Sequence, residues 1–280
     1  MTSHLSAERI FALSAVQPDD ITIEVVTETG STNADLLTRI QSAPTATKPI
    51  LRIAENQTAG RGRAGRAWLS TPETALMFSF AWPFARSVQD LVGLPLAVGA
   101  TIATAITHFL GKDVGIRLKW PNDLMLDSNK LGGILIETTS TTNAAAKIAG
   151  GAAKKQTWAV IGVGLNLAVP ASLQQDIGRN IANLPAPVDL DRDALMAALL
   201  CDLILALQSF EQHGLHDFIG QWNQLDAYAN QEVKILDQEK VVHEGTALGI
   251  DQTGRLLLQT TDQRIAIMAG DISLRVKVSQ

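Results

Sequence analysis

Ala54-Glu55-Asn56-Gln57-Thr58-Ala59-Gly60-Arg61-Gly62-Arg63-Ala64-Gly65-Arg66-Ala67-Trp68 is the stretch whose reading decides the fold. Gly60 to Gly65 matches the G-x-G-x-x-G pattern of dinucleotide folds, and it follows Ile50 to Glu55, which reads as a strand. In such a fold the loop opens a helix whose N-terminus faces the pyrophosphate. Here Trp68-Leu69-Ser70-Thr71-Pro72 leads instead to Ala75 through Trp82, a run apolar enough for another covered strand. The stretch is therefore strand, loop, strand. The dinucleotide reading falls, and no Walker A sequence replaces it.

What remains is a glycine-rich backbone presenting amides, with Arg61, Arg63 and Arg66 able to fork onto phosphate or carboxylate oxygens. On composition alone a solvated basic turn accounts for it equally well. An RGG-like nucleic-acid segment is the weaker third reading, since one short copy lies between strands.

Outward from the loop, Ile21 to Val26 alternates as a strand, and Thr29 to Asn33 supplies turn and cap chemistry for a short amphipathic helix over Ala34 to Ile40. Ser42 to Pro49 is loop. The most apolar segment, Leu91 to Leu110, approaches membrane-spanning length. Gly93, Pro95, Gly99, its threonines and His108 favour a buried helix, and no membrane association is expected.

Short strands follow over Ile116 to Trp120, Asp123 to Leu126 and Leu131 to Thr138, punctuated by Pro121-Asn122 and Asp127-Ser128-Asn129. Ser140 to Lys155 reads as a mobile hairpin connection, Trp158 to Leu167 as a strand and Pro170 to Pro187 as loop. Helical periodicity returns over Asp191 to Phe210 and Leu215 to Leu225. After Tyr228 the texture changes to brief alternating runs, Val233 to Leu236, Val241 to Ile250, Arg255 to Gln259, Arg264 to Met268 and Ile272 to Val278, the signature of a small barrel or sandwich.

Composition narrows the function classes. The chain has 280 residues, enough for a large domain with a small appendage, and its net charge of −5 argues against a broad nucleic-acid footprint. The single cysteine, Cys201, sits in an apolar run and cannot form an internal bridge, which fits a reducing compartment. No secretory signal precedes Asp20, so a cytoplasmic location is expected. The five histidines are scattered without cysteine or carboxylate spacing, so no structural metal is expected.

Three further constellations carry chemistry. Lys119-Trp120-Pro121-Asn122-Asp123 forces a turn flanked by Lys119 and Asp123, and Lys130-Leu131-Gly132-Gly133-Ile134-Leu135 starts a strand with an ammonium beside side-chain-free positions. A lysine there can neutralise charge developing in a transition state, although an exposed strand-end charge is the commoner use of a lysine. In Gly162-Val163-Gly164-Leu165-Asn166 glycines alternate with apolar residues, leaving one sheet face open to a flat ligand or marking a bulge. Gly30-Ser31-Thr32-Asn33 can bind a polar ligand or simply cap the following helix.

In this order and spacing the five runs resemble the bacterial biotin–protein ligases, over nearly the whole chain from Ile21. The resemblance implies an α+β fold: an N-terminal extension over residues 1–20, a mixed-sheet catalytic domain of the class II aminoacyl-tRNA-synthetase kind over 21–228, and an SH3-like barrel over 229–280. It implies two half-reactions on biotin, ATP and Mg2+, ending on a lysine of a biotin carboxyl carrier protein of acetyl-CoA carboxylase or a similar carboxylase. A homodimer is compatible with it.

By the same resemblance Ser31, Thr32, Asn33, Gln57, Gly60, Gly62, Gly133, Gly162 and Gly164 belong to the biotin site, together with Arg61, Arg63 and Lys130. ATP falls to Arg61, Arg63, Arg66, Trp68, Lys119, Asn122, Asp123, Lys130 and Asn166, with Mg2+ near Asp123. Lys130, aided by Arg61 and Arg63, is expected to carry catalysis, and the arginine loop to order over the intermediate. Family members that double as repressors carry a winged helix-turn-helix in front; the stretch before Ile21 is too short for one, so neither repression nor DNA binding is expected. The alternative within the same fold is a lipoate or octanoate ligase or transferase.

Overall fold

Strands form where the chain is apolar and β-branched, and seven of them make one sheet: β1 (Thr22–Thr29), β2 (Ile50–Gln57), β3 (Ala75–Phe84), β4 (Arg117–Lys119), β5 (Asp123–Leu126), β6 (Asn129–Thr142) and β7 (Lys155–Asn166). Their order is β1-β2-β3-β7-β6-β5-β4. The β1–β2 pair is parallel and the rest antiparallel, so the sheet is mixed, as expected. This computed structural model describes residues 4–43, 47–142, 155–177, 181–187, 189–237, 240–268 and 272–276.

Register divides the sheet into two faces. Leu76, Leu165, Gly132, Leu124 and Leu118 stand side by side across β3, β7, β6, β5 and β4, and their leucines are buried. That face is covered by α3 (Leu94–Leu110), which packs in turn on α5 (Arg192–His213). Pro95 fits the first turn of α3, where its missing N–H costs nothing, and Gly111 ends it in the left-handed region at φ 66°. The helix starts later than the sequence suggested because Val88–Leu91 forms a separate 3-10 turn, capped by the reciprocal Ser87 and Asp90 hydrogen bonds. The Val88–Leu110 segment, apolar enough by length and composition to cross a membrane, has 72% of its apolar window buried inside the fold. It is a core helix.

The opposite face is covered only in part. α2 (Thr32–Ser42) begins at Ser31, whose hydroxyl accepts from the Ala34 N–H. Its Leu36 and Ile40 pack on Ile50, Ala81, Trp158 and Val160, which lie on this face of β2, β3 and β7. Beyond them the face is left to the loop between β2 and β3.

The chain before β1 forms α1 (Ala7–Leu13), which buries Ile10 and rests on α5 and β1. Below it Glu55, 6% exposed, accepts from the Leu5 N–H and is ion-paired with Arg192 at 2.7 Å. One expectation is corrected: the stretch expected as loop from Pro170 to Pro187 contains α4 (Ala171–Ile177), seven residues with too little apolar periodicity to announce themselves. The connection expected over Ser140 to Lys155 is also shorter, because β6 runs on to Thr142 and β7 starts at Lys155; residues 143–154 lie outside the described ones.

After α6 (Ile219–Leu225) come the five strands that the texture beyond Tyr228 foretold: β8 (Glu232–Asp237), β9 (Lys240–Ile250), β10 (Leu256–Gln259), β11 (Arg264–Ile267) and β12 (Ile272–Val276). They form an antiparallel sheet ordered β11-β10-β9-β8-β12, with β11 and β12 as its edges among the described residues. Just ahead of it Ala227 N–H donates to Leu118 O at 2.8 Å, and the sheet itself is tied on by Trp120 Nε1 to Gly254 O at 3.1 Å and by Ile250 N–H to Asn223 Oδ1 of α6 at 2.9 Å.

Candidate active site

One residue along from the leucine row, every strand turns its neighbour to the other face. The resulting row crosses the whole sheet: Val26, Ala54, Met77, Gly164, Gly133, Asp123 and Lys119. Beside it run Ser79, Gly162 and Leu135. The glycines make a trough, and sterics require them. A methyl on Gly162 would lie 2.3 Å from Asn33 Oδ1, and one on Gly164 would lie 2.5 Å from the Trp68 indole. Gly133 is crossed by a side chain instead, since its added Cβ would stand 3.0 Å from Lys130 Nζ.

One end of the trough is neutral and polar. Ser31, Thr32 and Asn33 line it at the start of α2, all at most 5% exposed, with Gln57 from the end of β2. Gln57 Oε1 accepts from the Thr32 N–H at 2.8 Å and lies 3.2 Å from Thr32 Oγ1. The fully buried Ser79 hydroxyl is 2.6 Å from Thr32 Oγ1 and 2.5 Å from Asn33 Oδ1. Asn33 Nδ2 donates to Leu135 O at 3.2 Å and to Glu137 Oε2 at 2.9 Å. These groups are held by one another, which fixes their directions before any ligand arrives.

The other end is cationic. Arg61, Arg63, Arg66, Lys119, Lys130 and Arg275 all line the cleft, against the single carboxylate of Asp123 among the lining residues. In a chain of net charge −5 this is a strong local reversal of sign. Lys130 is ion-paired with Asp123, both about four-fifths buried. Its backbone is held from two sides, Asn166 Nδ2 and the Ala182 N–H both donating to Lys130 O. Lys119 and Asp123 face each other across the β4–β5 hairpin, as the Pro121-Asn122 turn implies. The Lys119 ammonium also stands 5.9 Å from the Tyr228 ring centre.

The arginine loop folds over the trough as an irregular hairpin. Trp68 N–H donates to Gly60 O at 2.9 Å, Gly62 N–H to Arg66 O at 2.7 Å, and a 3-10 turn over Arg63–Gly65 closes the tip. Ala64 at φ 53° and Gly65 at φ 69° both sit in the left-handed region, where alanine costs strain and glycine does not. The loop touches the sheet through Arg61, 3.0 Å from Glu137, and through Arg63, whose Nη1 donates to Asn122 Oδ1 at 3.0 Å. No helix follows, which agrees with setting the dinucleotide reading aside.

The structure thus gathers nearly every expected site residue around one cleft. Two stand outside its lining. Gly60 serves the hairpin, where a Cβ would meet Trp68 O at 2.6 Å, and Asn166 reaches the site only through the Lys130 backbone. Sequence reasoning missed Ser79, Glu137, Leu274 and Arg275. The last two come from β12 and were invisible because nothing local ties that strand to the cleft. Ser79 carried a readable signal, a lone hydroxyl inside the apolar run Ala75 to Trp82.

At the seam between the sheets Asp226 is 9% exposed; its Oδ1 accepts from the Tyr228 N–H, and burial lifts its carboxyl to about 6 against that bond's lowering effect. Burial also raises the Tyr228 phenol; Arg275 opposes the rise and the Asp123 and Asp226 charges add to it. Among the described residues no group of three His, Cys, Asp or Glu side chains could hold a metal by itself. Asp123 alone still fits a Mg2+ carried on phosphates, an ion that takes one or two carboxylates and completes its shell from substrate and water.

Comparison with known proteins agrees with this geometry. Residues 25–152 match the biotin/lipoate A/B protein ligase family and residues 228–275 the biotin protein ligase C-terminal domain. The chain is 37% identical over 260 residues to the bifunctional ligase/repressor BirA of Escherichia coli, covering 92% of this chain and 76% of that one. It is 31% identical over 257 residues to the biotin–[acetyl-CoA-carboxylase] ligase of Mycobacterium tuberculosis, covering 89% and 88%. In fold it is similar to the biotin protein ligase of Aquifex aeolicus solved with biotin and ATP, with a TM-score of 0.66 at 24% identity over 91% of this chain and 99% of that one.

Proposed function

The chain belongs to the biotin–protein ligases, and from that premise we propose that the cleft adenylates biotin and passes it to a lysine of a carrier protein. The enzyme is an ATP-dependent biotin ligase. The observation that carries the assignment of roles is the polarity of the trough: fixed neutral hydrogen-bonding groups at one end, six cations at the other, and glycines between. Biotin has the matching shape, a neutral ureido head joined through a flat ring system and a chain to a carboxylate.

In this reading Thr32, Asn33 and Gln57 meet the ureido head, and the Gly162 and Gly164 floor takes the rings. The carboxylate then reaches Lys130 and the arginine loop. A carboxylate oxygen attacks the α-phosphorus of ATP, the bond to the β-phosphate oxygen breaks, and pyrophosphate leaves. Negative charge crowds one phosphorus, and positioned cations in a site shielded from water lower that cost. In the second step the carrier lysine, as a free amine, attacks the carbonyl carbon; AMP departs with the bonding pair and the new amide loses a proton.

Asp123 would hold Mg2+ on the ATP phosphates, which adds positive charge there; Lys119, Asn122 and Trp68 orient the nucleotide. We propose a biotin carboxyl carrier protein of a carboxylase as the carrier and a cytoplasmic location, which the single cysteine, Cys201, supports by fitting a reducing compartment.

Pyrophosphate release from ATP with biotin, with lipoate and with neither tests the reading. Release with biotin alone is expected, and release with lipoate but not biotin overturns it. Lys130→Ala should keep the fold by circular dichroism and slow adenylation on the order of 10²-fold or more. A wild-type rate in that variant removes Lys130 from the mechanism.

A further inference from the structure

Glu137 has no part in the roles assigned above and does not itself line the cleft, yet it touches two residues that do, Asn33 and Arg61. It is on the trough side of β6, in the same transverse row as Val160, Ala81 and Ile50 beneath α2. One oxygen, Oε2, takes both the Asn33 amide at 2.9 Å and the Arg61 guanidinium at 3.0 Å. Asn33 is 3% exposed and is fixed at its other end by Ser79. Arg61 belongs to the loop that covers the trough, and it contacts Glu137 through one terminal nitrogen. The rest of that guanidinium fork is left for a ligand.

A continuous chain of polar contacts therefore runs Gln57, Thr32, Ser79, Asn33, Glu137, Arg61, from the neutral head of the trough to the cationic loop. Arg63, by contrast, lands on Asn122 beside the β4–β5 turn. We propose that Glu137 is a positioning residue that ties the arginine loop to the biotin-head pocket, so that filling the pocket sets Arg61 at the carboxylate. The role rests on the biotin reading of the cleft. The side chains of Glu137 and Arg61 are 28% and 43% exposed, so the pair adds little to folding. Its effect is geometric.

Two variants separate the contacts. Glu137→Ala removes both, while Glu137→Gln keeps an acceptor for Asn33 and for Arg61 but discards the charge. In biotin-dependent pyrophosphate release, Glu137→Ala should raise the KM for biotin about tenfold or more, the effect of losing charge-assisted hydrogen bonds. The KM for ATP should move much less, and Glu137→Gln should recover part of the loss. Trypsin, which cuts after Arg61, Arg63 and Arg66, should nick the loop of unliganded Glu137→Ala faster than that of the wild type, and biotin should protect the variant less.

An unchanged biotin KM together with wild-type nicking in both variants overturns the role. Equal rises in the KM for biotin and for ATP, with no rescue by glutamine, also overturn it, since that pattern marks general damage. The nicking comparison needs no substrate. It therefore tests the tie even if wild-type enzyme released no pyrophosphate with biotin, a result that would sink the functional reading instead.

Discussion

Two rows of residues, one position apart on the same five strands, have opposite fates. Leu76, Leu165, Gly132, Leu124 and Leu118 face the helical side, where the leucines join the core; Met77, Gly164, Gly133, Asp123 and Lys119 face the other, where all but Met77 line the site. Backbone, register and twist are shared. What differs is the side chain: volume on one face, its removal and charge on the other. A binding site here is a sheet face from which packing has been withheld, and a strand's period of two is enough to keep it separate from the core.

Mutations that cross the two rows should therefore have uncrossed effects. The largest loss of stability is expected in the leucine row, where Leu165→Ala deletes a fully buried side chain and should cost about 2–5 kcal/mol in denaturant unfolding while the biotin KM stays put. Its neighbour behaves oppositely. Gly164→Ala pushes a methyl to within 2.5 Å of the Trp68 ring, and because both residues line the cleft, the main loss should be in the biotin and ATP KM values. A Gly164→Ala enzyme with unaltered kinetics and lowered stability would break the distinction.

At the end of the packed row, Asp226 bridges to Leu118 and gives a pH test. Its buried carboxyl titrates near 6, above the usual 3.8 of the unfolded chain. Well below pH 3.8 both states hold the proton and this group's contribution is complete; as pH rises from about 3.8 to about 6 the unfolded state ionises first, and stability falls by on the order of 3 kcal/mol before levelling. Asp226→Asn should remove that fall, read as the difference between variant and wild-type unfolding across the window. A constant difference would show that Asp226 keeps an ordinary carboxyl. The smallest effect belongs to the rim of the open face, where Arg39 on α2 pairs with Glu24 on β1 at 45% exposure. Arg39→Ala should change stability by less than about 1 kcal/mol and leave both KM values alone.

Local chemistry made much of this legible in the sequence. Gly162 and Gly164 read as an open sheet face, Pro121-Asn122 as the turn that pairs Lys119 with Asp123, and Trp68 to Pro72 as the exit into a strand. The sequence was silent where function depends on register between distant strands. Glu137 meets Arg61 across 76 positions, and Asn33 across 104. The register shift that pairs Leu124 with Gly132 but Met125 with Lys130, leaving Leu131 of β6 as the extra residue, had no signature either. α4 escaped for a different reason, being too short to show a period.

Leu274 and Arg275 of β12 form part of the cleft wall, and β12 is the last described strand in chain order. During synthesis the larger sheet, its glycine trough and Lys130 emerge well before the strand that closes them in. A nascent chain thus owns the reactive floor before it owns the wall. Since an acyl adenylate is useful only where water is kept out, the wall supplied by Leu274 and Arg275 would matter most for holding the intermediate, not for forming the floor.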